Sequence, residues 1–361
     1  MEKKGKKGRM DYTLLLIVVL LVVIGLVILY STSAYNGQVK FHDSFYYLKK
    51  QAFATVLGIV LMLFVAGMDY HIWQRLAVFG YLAAVALSVA VMLFGREING
   101  SKRWLTLGPF SFQPSEFAKV ALILFLADLV TKNVKTIGKM WTLCRIMFWI
   151  LPIVGLVGAS NLSTAIIILG IGVILIFVAS PKYAQFALMG IAGACFMGIF
   201  LALESYRLER LAIWRNPEKY EKGYQTLQGL YAIGSGGVFG VGIGNSVQKL
   251  GFVPEAQNDM IFSIICEELG LAGAGIIVFL FLLLIWRFFL IASGSRDLFG
   301  ALIATGAMAH MMIQVILNIA VVTNTIPNTG ITLPFISYGG TSVMFLLIEM
   351  GLVLSVSQVV D

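Results

Sequence analysis

Two oppositely charged residues stand three positions apart just inside an apolar run of the sequence. Glu116 and Lys119 follow Pro114, which suits the first turn of a helix, so both side chains share one helix face. Such a pair is often an ordinary ion pair near a helix start. Lys119, however, would lie about one turn inside the apolar region, where charged groups usually face a polar cavity. The pair is therefore a candidate ligand-binding site.

A third candidate, Asp259, precedes another apolar run almost directly. An aspartate at a helix start is commonly an N-cap. Asn258 is an alternative cap, which would leave Asp259 free to act as a general base. Both interpretations are open at the level of the sequence.

Two adjacent glutamates, Glu267 and Glu268, fall roughly two turns inside the same run. Carboxylates in lipid need partners, and Lys119 or His310 are the partners that we expect. The two glutamates would then be structural ties between helices.

The remaining candidates lie between the apolar runs. Residues 234–244 contain six glycines but match neither common phosphate-binding pattern, so they predict close backbone packing or a re-entrant or surface-lying element. Residues 323–341 form an irregular polar entry to the last run, which either lines a site or only breaks the helix. Candidate polar and cationic side chains in these connecting segments are Lys102, Arg103, Arg207, Arg210 and Ser337.

The elements that position these residues must be membrane helices. Of 361 residues, 59% are hydrophobic and only 12% are charged, which excludes an ordinary soluble protein. A spanning helix needs roughly 20 mostly apolar residues. We therefore predict an all-α, polytopic integral membrane protein with a single membrane domain over 1–361. About ten spans are expected, near 13–33, 50–67, 77–94, 114–131, 146–160, 162–180, 185–203, 261–286, 299–322 and 335–358.

Lys and Arg residues predict the orientation. They are concentrated in the basic tail 1–12 and in 131–145, which marks both termini as cytoplasmic and 204–260 as one large extracellular loop. The net charge of +8, half of it from the tail, is thus an orientation signal and does not indicate nucleic-acid binding. The apolar core 13–29 is longer than that of a usual signal peptide, so we interpret it as a retained span.

Four segments in order resemble the SEDS family (shape, elongation, division and sporulation) of bacterial cell-wall proteins, over nearly the whole chain. They are 99–104 with 113–119, 223–225 with 234–237, 254–259 with 267–270, and 330–340, which reads GITLPFISYGG. Gln248-Lys249 and the last segment are more similar to the FtsW/SpoVE branch than to the RodA branch. In one departure, Asn161 stands where many members have an aspartate.

The resemblance implies a peptidoglycan glycosyltransferase that polymerises lipid II at the outer face of the bacterial cytoplasmic membrane, for cell division or sporulation. It also implies a class B penicillin-binding protein as partner, together with other division or sporulation membrane proteins, and no nucleic acid. Asp259 matches the family's essential aspartate. Glu116 and Lys119 match its glutamate and lysine in the fourth span.

The predicted chemistry follows from these matches. Asp259 would take the proton from the acceptor 4-hydroxyl as it attacks the donor's anomeric carbon with inversion, and undecaprenyl pyrophosphate would leave. Lys119 and loop cations would stabilise the leaving group, and Glu116 would orient Lys119 or a sugar hydroxyl. A divalent cation, Mg or Mn, is the expected cofactor, with no organic cofactor.

Two other classes of function stay open. A lipid II flippase would use the same lipid and similar cations, but transporters usually bind near the bilayer midplane, whereas the polar residues here gather at one end. A non-catalytic division scaffold would be expected to lose Asp259, which this chain keeps.

Overall fold

The structure is a computed structural model that describes residues 8–98, 101–107, 110–187, 190 and 211–359. Most of these residues are helical, which confirms the all-α class. The helices with complete bounds are α1 Tyr12–Phe41, α2 Tyr46–Gly67, α3 His71–Phe94, α4 Pro114–Asn133, α5 Met140–Ser160, α6 Leu162–Ala179, α7 Tyr224–Ser235, α8 Ile261–Gly294, α9 Leu298–Val322 and α10 Gly340–Ser357.

Eight of these helices are long and apolar enough to cross a membrane, which makes the chain a multi-pass membrane protein. They are α1, α2, α3, α5, α6, α8, α9 and α10. The predicted span 114–131 coincides with α4, which carries four charged residues and is not among the eight. The predicted span 185–203 lies mostly outside the described residues, so the count of ten stays a prediction.

The helices alternate in direction, so the connecting segments gather at two ends of the bundle. One end carries Asp259, the turn after α1, the segment between α3 and α4, and the entry to α10; we call it the Asp259 end. The other carries the start of α1 and the turns after α2, α4 and α8. The α1 helix runs to Phe41 at the Asp259 end and α2 begins at Tyr46, so most of the segment 34–49 between the first two predicted spans is helical.

Helices α4 and α9 occupy the interior of the bundle. Most residues of α4 from Pro114 to Val130 are buried, and so are most of α9. Both helices pack against α6 and α10 or one another, while α2 packs along α10. Polar side chains on α4 and α9 are thereby held away from lipid.

A small antiparallel sheet connects α3 to α4, where the sequence suggested only a loop. Its strands are β1 Arg96–Ile98, β2 Ser101–Leu107 and β3 Phe110–Phe112, in the order β1-β2-β3. The strands are short and bring the segment between two helices into a fixed path at the Asp259 end.

The α8 helix is broken at Gly270, which has φ 68° and ψ −170°. The predicted span 261–286 falls within this helix, which is one of the eight, and the break is a feature that the sequence did not predict. Four backbone groups that would pair with each other in two hydrogen bonds of an intact helix bond instead to the glycine run 236–242. Val241 N and Gly242 N donate to the carbonyls of residues 267 and 268 at 3.0 Å, and the amides of residues 271 and 272 donate to those of residues 237 and 238.

Glycine is required where the two backbones meet. A Cβ at Gly236 would overlap the Cys266 carbonyl, and one at Gly240, whose φ is +76°, would overlap that of Glu268. The prediction of close backbone packing in this run is confirmed.

Candidate active site

Asp259 lies on the turn that leads into α8, and its side chain is partly buried. Gln225 Nε2 donates to its Oδ1 at 3.4 Å, and Gly330 lies opposite Oδ2. The interpretation of Asp259 as N-cap is wrong, because the helix begins later and the capping position is Met260. Asn258 is not the cap either, since its amide donates to Glu255 at 2.6 Å.

Burial is the main influence on this carboxyl group. It raises the pKa of Asp259 to about 6, because the ionised form loses solvation, and the nearby charge of Glu255 adds to the increase. The hydrogen bond from Gln225 and the local backbone amides act in the opposite direction. A carboxylate with this pKa is suited to accept a proton near neutral pH.

The polypeptide around Asp259 is held by the irregular segment 323–339. Asn318 of α9 donates from Nδ2 to the Asp259 carbonyl at 2.9 Å and to the Ile331 carbonyl at 2.7 Å. The Tyr338 amide donates to the Gln257 carbonyl at 2.9 Å. The entry to α10 thus lines the turn that carries Asp259.

Glu116 and Lys119 form the predicted ion pair, with 3.0 Å between Oε1 and Nζ. Both side chains are buried. Ser342 of α10 donates to Glu116 Oε2 at 2.9 Å, and Lys119 donates to Gln314 Oε1 at 3.3 Å. Lys119 is therefore a buried positive charge inside the bundle, and direct contact with a substrate phosphate stays a prediction.

A second buried pair adjoins the first, and the sequence analysis did not find it. His310 Nδ1 of α9 lies 2.7 Å from Glu349 Oε2 of α10, and His310 Nε2 lies 2.9 Å from Gln314 Oε1. The spacing of His310 and Gln314, four residues apart in an apolar helix, was the available signal.

Glu267 and Glu268 are structural ties, but their predicted partners are wrong. Glu268 receives hydrogen bonds from Lys249 Nζ at 2.6 Å and from Ser31 of α1 at 2.7 Å. Glu267 receives them from Ser246 Oγ at 2.5 Å and the Val247 amide at 3.0 Å. Lys119 and His310 are instead occupied within the α4–α9–α10 interior.

The other predicted binding residues are dispersed. Lys102 is exposed on β2, and Arg103 Nε donates to the Ser160 carbonyl at 3.0 Å. Ser337 is buried and its hydroxyl accepts from the Leu333 amide at 2.8 Å. Arg207 and Arg210 lie outside the described residues. For all five, substrate binding stays a prediction.

Asn161, the departure from the family pattern, has a local role. Its Oδ1 accepts from the Thr164 amide at 3.2 Å and so caps α6. A neutral side chain is sufficient for this function.

The predicted divalent cation finds no preformed cage among the described residues. They contain no group of three or more His, Cys, Asp or Glu side chains that could hold a metal ion. The cation requirement stays a prediction.

Relatives of the chain are similar over almost its full length. The FtsW/RodA/SpoVE family, described as cell cycle proteins, matches residues 12–361. Stage V sporulation protein E of Bacillus subtilis is 40% identical over 366 residues, covering 98% of each chain. The probable peptidoglycan glycosyltransferase FtsW of Trichlorobacter lovleyi is 34% identical, covering 99% of this chain and 95% of that protein.

Solved structures agree with this result. One chain comes from a structure described as the structural coordination of polymerization and crosslinking by a peptidoglycan synthase complex. It is 30% identical with a TM-score of 0.84, covering 96% of this chain and 97% of its own. Rod shape determining protein RodA of Thermus thermophilus is 28% identical with a TM-score of 0.72, covering 96% of each chain. The chain described here is therefore a member of the SEDS family, of the FtsW/SpoVE type, with a role in cell-wall synthesis.

Proposed function

We propose that this protein polymerises lipid II into glycan strands, with Asp259 as the general base. The observation that carries the proposal is the partly buried Asp259 carboxylate, whose pKa is raised to about 6. It faces Gln225 and Gly330 at the end of the bundle that carries the sheet and the entry to α10. The named relatives support glycosyl transfer as the reaction class.

In the proposed reaction, Asp259 accepts the proton of the acceptor 4-hydroxyl while that oxygen bonds to the donor's anomeric carbon. The bond from this carbon to the pyrophosphate oxygen breaks at the same time, and undecaprenyl pyrophosphate departs with its electron pair. Lys119 contributes positive potential from beneath the site, with Glu116 fixing its position. Lys102 and Arg103, with Arg207 and Arg210, are proposed contacts for the pyrophosphate.

We also propose that the Asp259 end faces outside the cytoplasmic membrane. The opposite end carries Lys132 in the last turn of α4, Lys135 and Lys139 in the segment that follows, and Lys182 after α6. Such an excess of cations in short segments favours the cytoplasmic side. A class B penicillin-binding protein is the proposed partner, supported by the synthase complex to which a similar solved chain belongs.

The test is lipid II polymerisation by the purified protein in complex with its class B penicillin-binding protein carrying an inactive transpeptidase site. Asp259→Asn is compared with Asp43→Asn, a matched change in the turn after α1 at the same end of the bundle. We expect glycan ladders from wild type and from Asp43→Asn only. Ladders from Asp259→Asn would refute the base assignment. The absence of ladders from a folded wild-type complex would favour the flippase or the scaffold.

A further inference from the structure

Three polar residues form one buried stripe along α9. His310, Gln314 and Asn318 are four residues apart, so they share one helix face, and all three are almost fully buried. The stripe faces the turn of Asp259 at one end and the Glu116–Lys119 pair further along. It is the element that contacts both groups of the proposed reaction.

The orientation of the Asn318 amide is fixed by its neighbours. Both atoms next to Nδ2 are carbonyl oxygens, of Asp259 and Ile331, so only the amide nitrogen can face them. Asn318 thus joins the Asp259 peptide to the segment that begins at Gly330. Gly330 has a φ of +68°, and a Cβ added to it would lie 3.8 Å from Asp259 Oδ2.

Gln314 is oriented by the same reasoning. Its Nε2 donates to the Thr332 carbonyl at 3.0 Å, so Oε1 points toward Lys119 Nζ and His310 Nε2. His310 Nε2 is therefore the donor to Gln314 Oε1. The other ring nitrogen is held by Glu349, which fixes the ring.

We propose that Gln314 and Asn318 are positioning residues that hold the base Asp259 and the cation Lys119 at a fixed separation along one rigid helix. The proposal rests on the proposed function of Asp259. Gln314 and Asn318 are four residues apart, which places them about 6 Å apart along the helix axis. Neither side chain needs to touch the substrate, because each acts through a peptide group or an ammonium group that it holds.

The positioning role predicts a specific kinetic effect. Displacing a reacting group by about 1 Å can lower the rate about 100-fold without weakening substrate binding. Loss of the two Asn318 hydrogen bonds frees the Asp259 peptide. We therefore expect kcat to fall by roughly 10- to 100-fold, with little change in KM.

Gln51 of α2 provides a matched control. It is also buried and makes two hydrogen bonds to the same irregular segment, to the Ser337 carbonyl at 3.3 Å and from the Gly339 amide at 3.1 Å. It makes no hydrogen bond to Asp259, whose turn contacts this segment through the Tyr338 amide and the Gln257 carbonyl. Asn318→Leu and Gln51→Leu remove equivalent numbers of bonds and differ in whether the base is released.

The experiment measures kcat, KM and heat-induced unfolding of the full complex carrying Asn318→Leu or Gln51→Leu, with Asp259→Asn alongside. If Asn318→Leu does not fold, Asn318→Ser replaces it, since a hydroxyl retains one donor. The expected result is similar thermal stability for the two main variants, with kcat reduced only for the Asn318 change.

Two results overturn the positioning proposal. One is wild-type kcat in the folded Asn318 variant, and the other is an equal loss of kcat in Gln51→Leu. If either occurs while Asp259→Asn is inactive, positioning is refuted and the proposed function stands. If Asp259→Asn is active, the proposed function itself has failed.

Discussion

The joint between the glycine run and α8 allows a quantitative test at Gly240. Replacing Gly240 by alanine would place a methyl group against the Glu268 carbonyl and 2.6 Å from the Gly270 amide nitrogen. Both obstacles are backbone atoms, which cannot rotate away. The φ of +76° is itself unfavourable for a residue with a Cβ.

The expected cost has two parts. The left-handed backbone costs about 1–2 kcal/mol for alanine. Relieving the overlap requires the run to move away from α8, which breaks the bonds from Val241 N and Gly242 N to the carbonyls of α8. Each of the two carbonyls left unpaired, which belong to the buried residues Glu267 and Glu268, costs about 1–3 kcal/mol. The free energy of unfolding should therefore fall by about 3–8 kcal/mol.

Two neighbouring glycines allow the cost of the left-handed backbone to be measured apart from the cost of the overlap with α8. Gly234 in α7 has open space around its Cβ position and no positive φ, whereas Gly244 has open space but a φ of +89°. Heat-induced unfolding of the purified protein in detergent should rank Gly234→Ala at or above wild type, Gly244→Ala slightly below, and Gly240→Ala lowest. The unfolding midpoints of Gly244→Ala and Gly240→Ala should differ by several degrees, at roughly 2 °C per kcal/mol. Equal midpoints for these two would refute the tight joint.

Three further predictions concern charge. Lys249→Met or Glu268→Gln alone should each destabilise the protein by about 3–5 kcal/mol, because each leaves a buried charge unpaired. The double variant should unfold closer to wild type, and additive losses would contradict the pairing. Because the pKa of Asp259 is raised from 3.8 to about 6, wild type loses stability as the pH rises through that interval. Asp259→Asn should then be more stable than wild type at about pH 7.5 but not at about pH 4, and an equal difference at both would count against burial as the cause. Finally, polymerisation should decline below about pH 6. Gln225→Leu should move this decline to higher pH, because it removes a hydrogen bond that lowers the pKa of Asp259; an unmoved profile would exclude that influence.

The membrane helices were predictable because uncharged runs of this length have few alternatives. The Glu116–Lys119 pair was predictable for a similar reason, since its two members are one turn apart on the same helix. The positions of the helix ends were harder to predict from the sequence. The α1 helix continues to Phe41 through polar residues that the hydropathy pattern assigned to a loop.

Partners distant in sequence were not predictable. Glu268 contacts Ser31, which is 237 positions away, and Lys249, which follows the glycine run in the chain. The His310–Glu349 pair joins two helices whose relative rotation no single-sequence pattern gives. Nothing in the local pattern of 96–112 distinguished three short strands from a loop.

The break at Gly270 also has a consequence for the order of assembly. Beyond it, α8 retains 24 residues to Gly294, about 36 Å of helix, which can cross a bilayer without help. The nine residues before it are too short to do so, and the carbonyls of Glu267 and Glu268 accept hydrogen bonds from the glycine run. Insertion of the spans can therefore finish before the short helix that follows Asp259 has docked. We expect the turn that carries Asp259, the proposed base, to reach its final position only after this insertion.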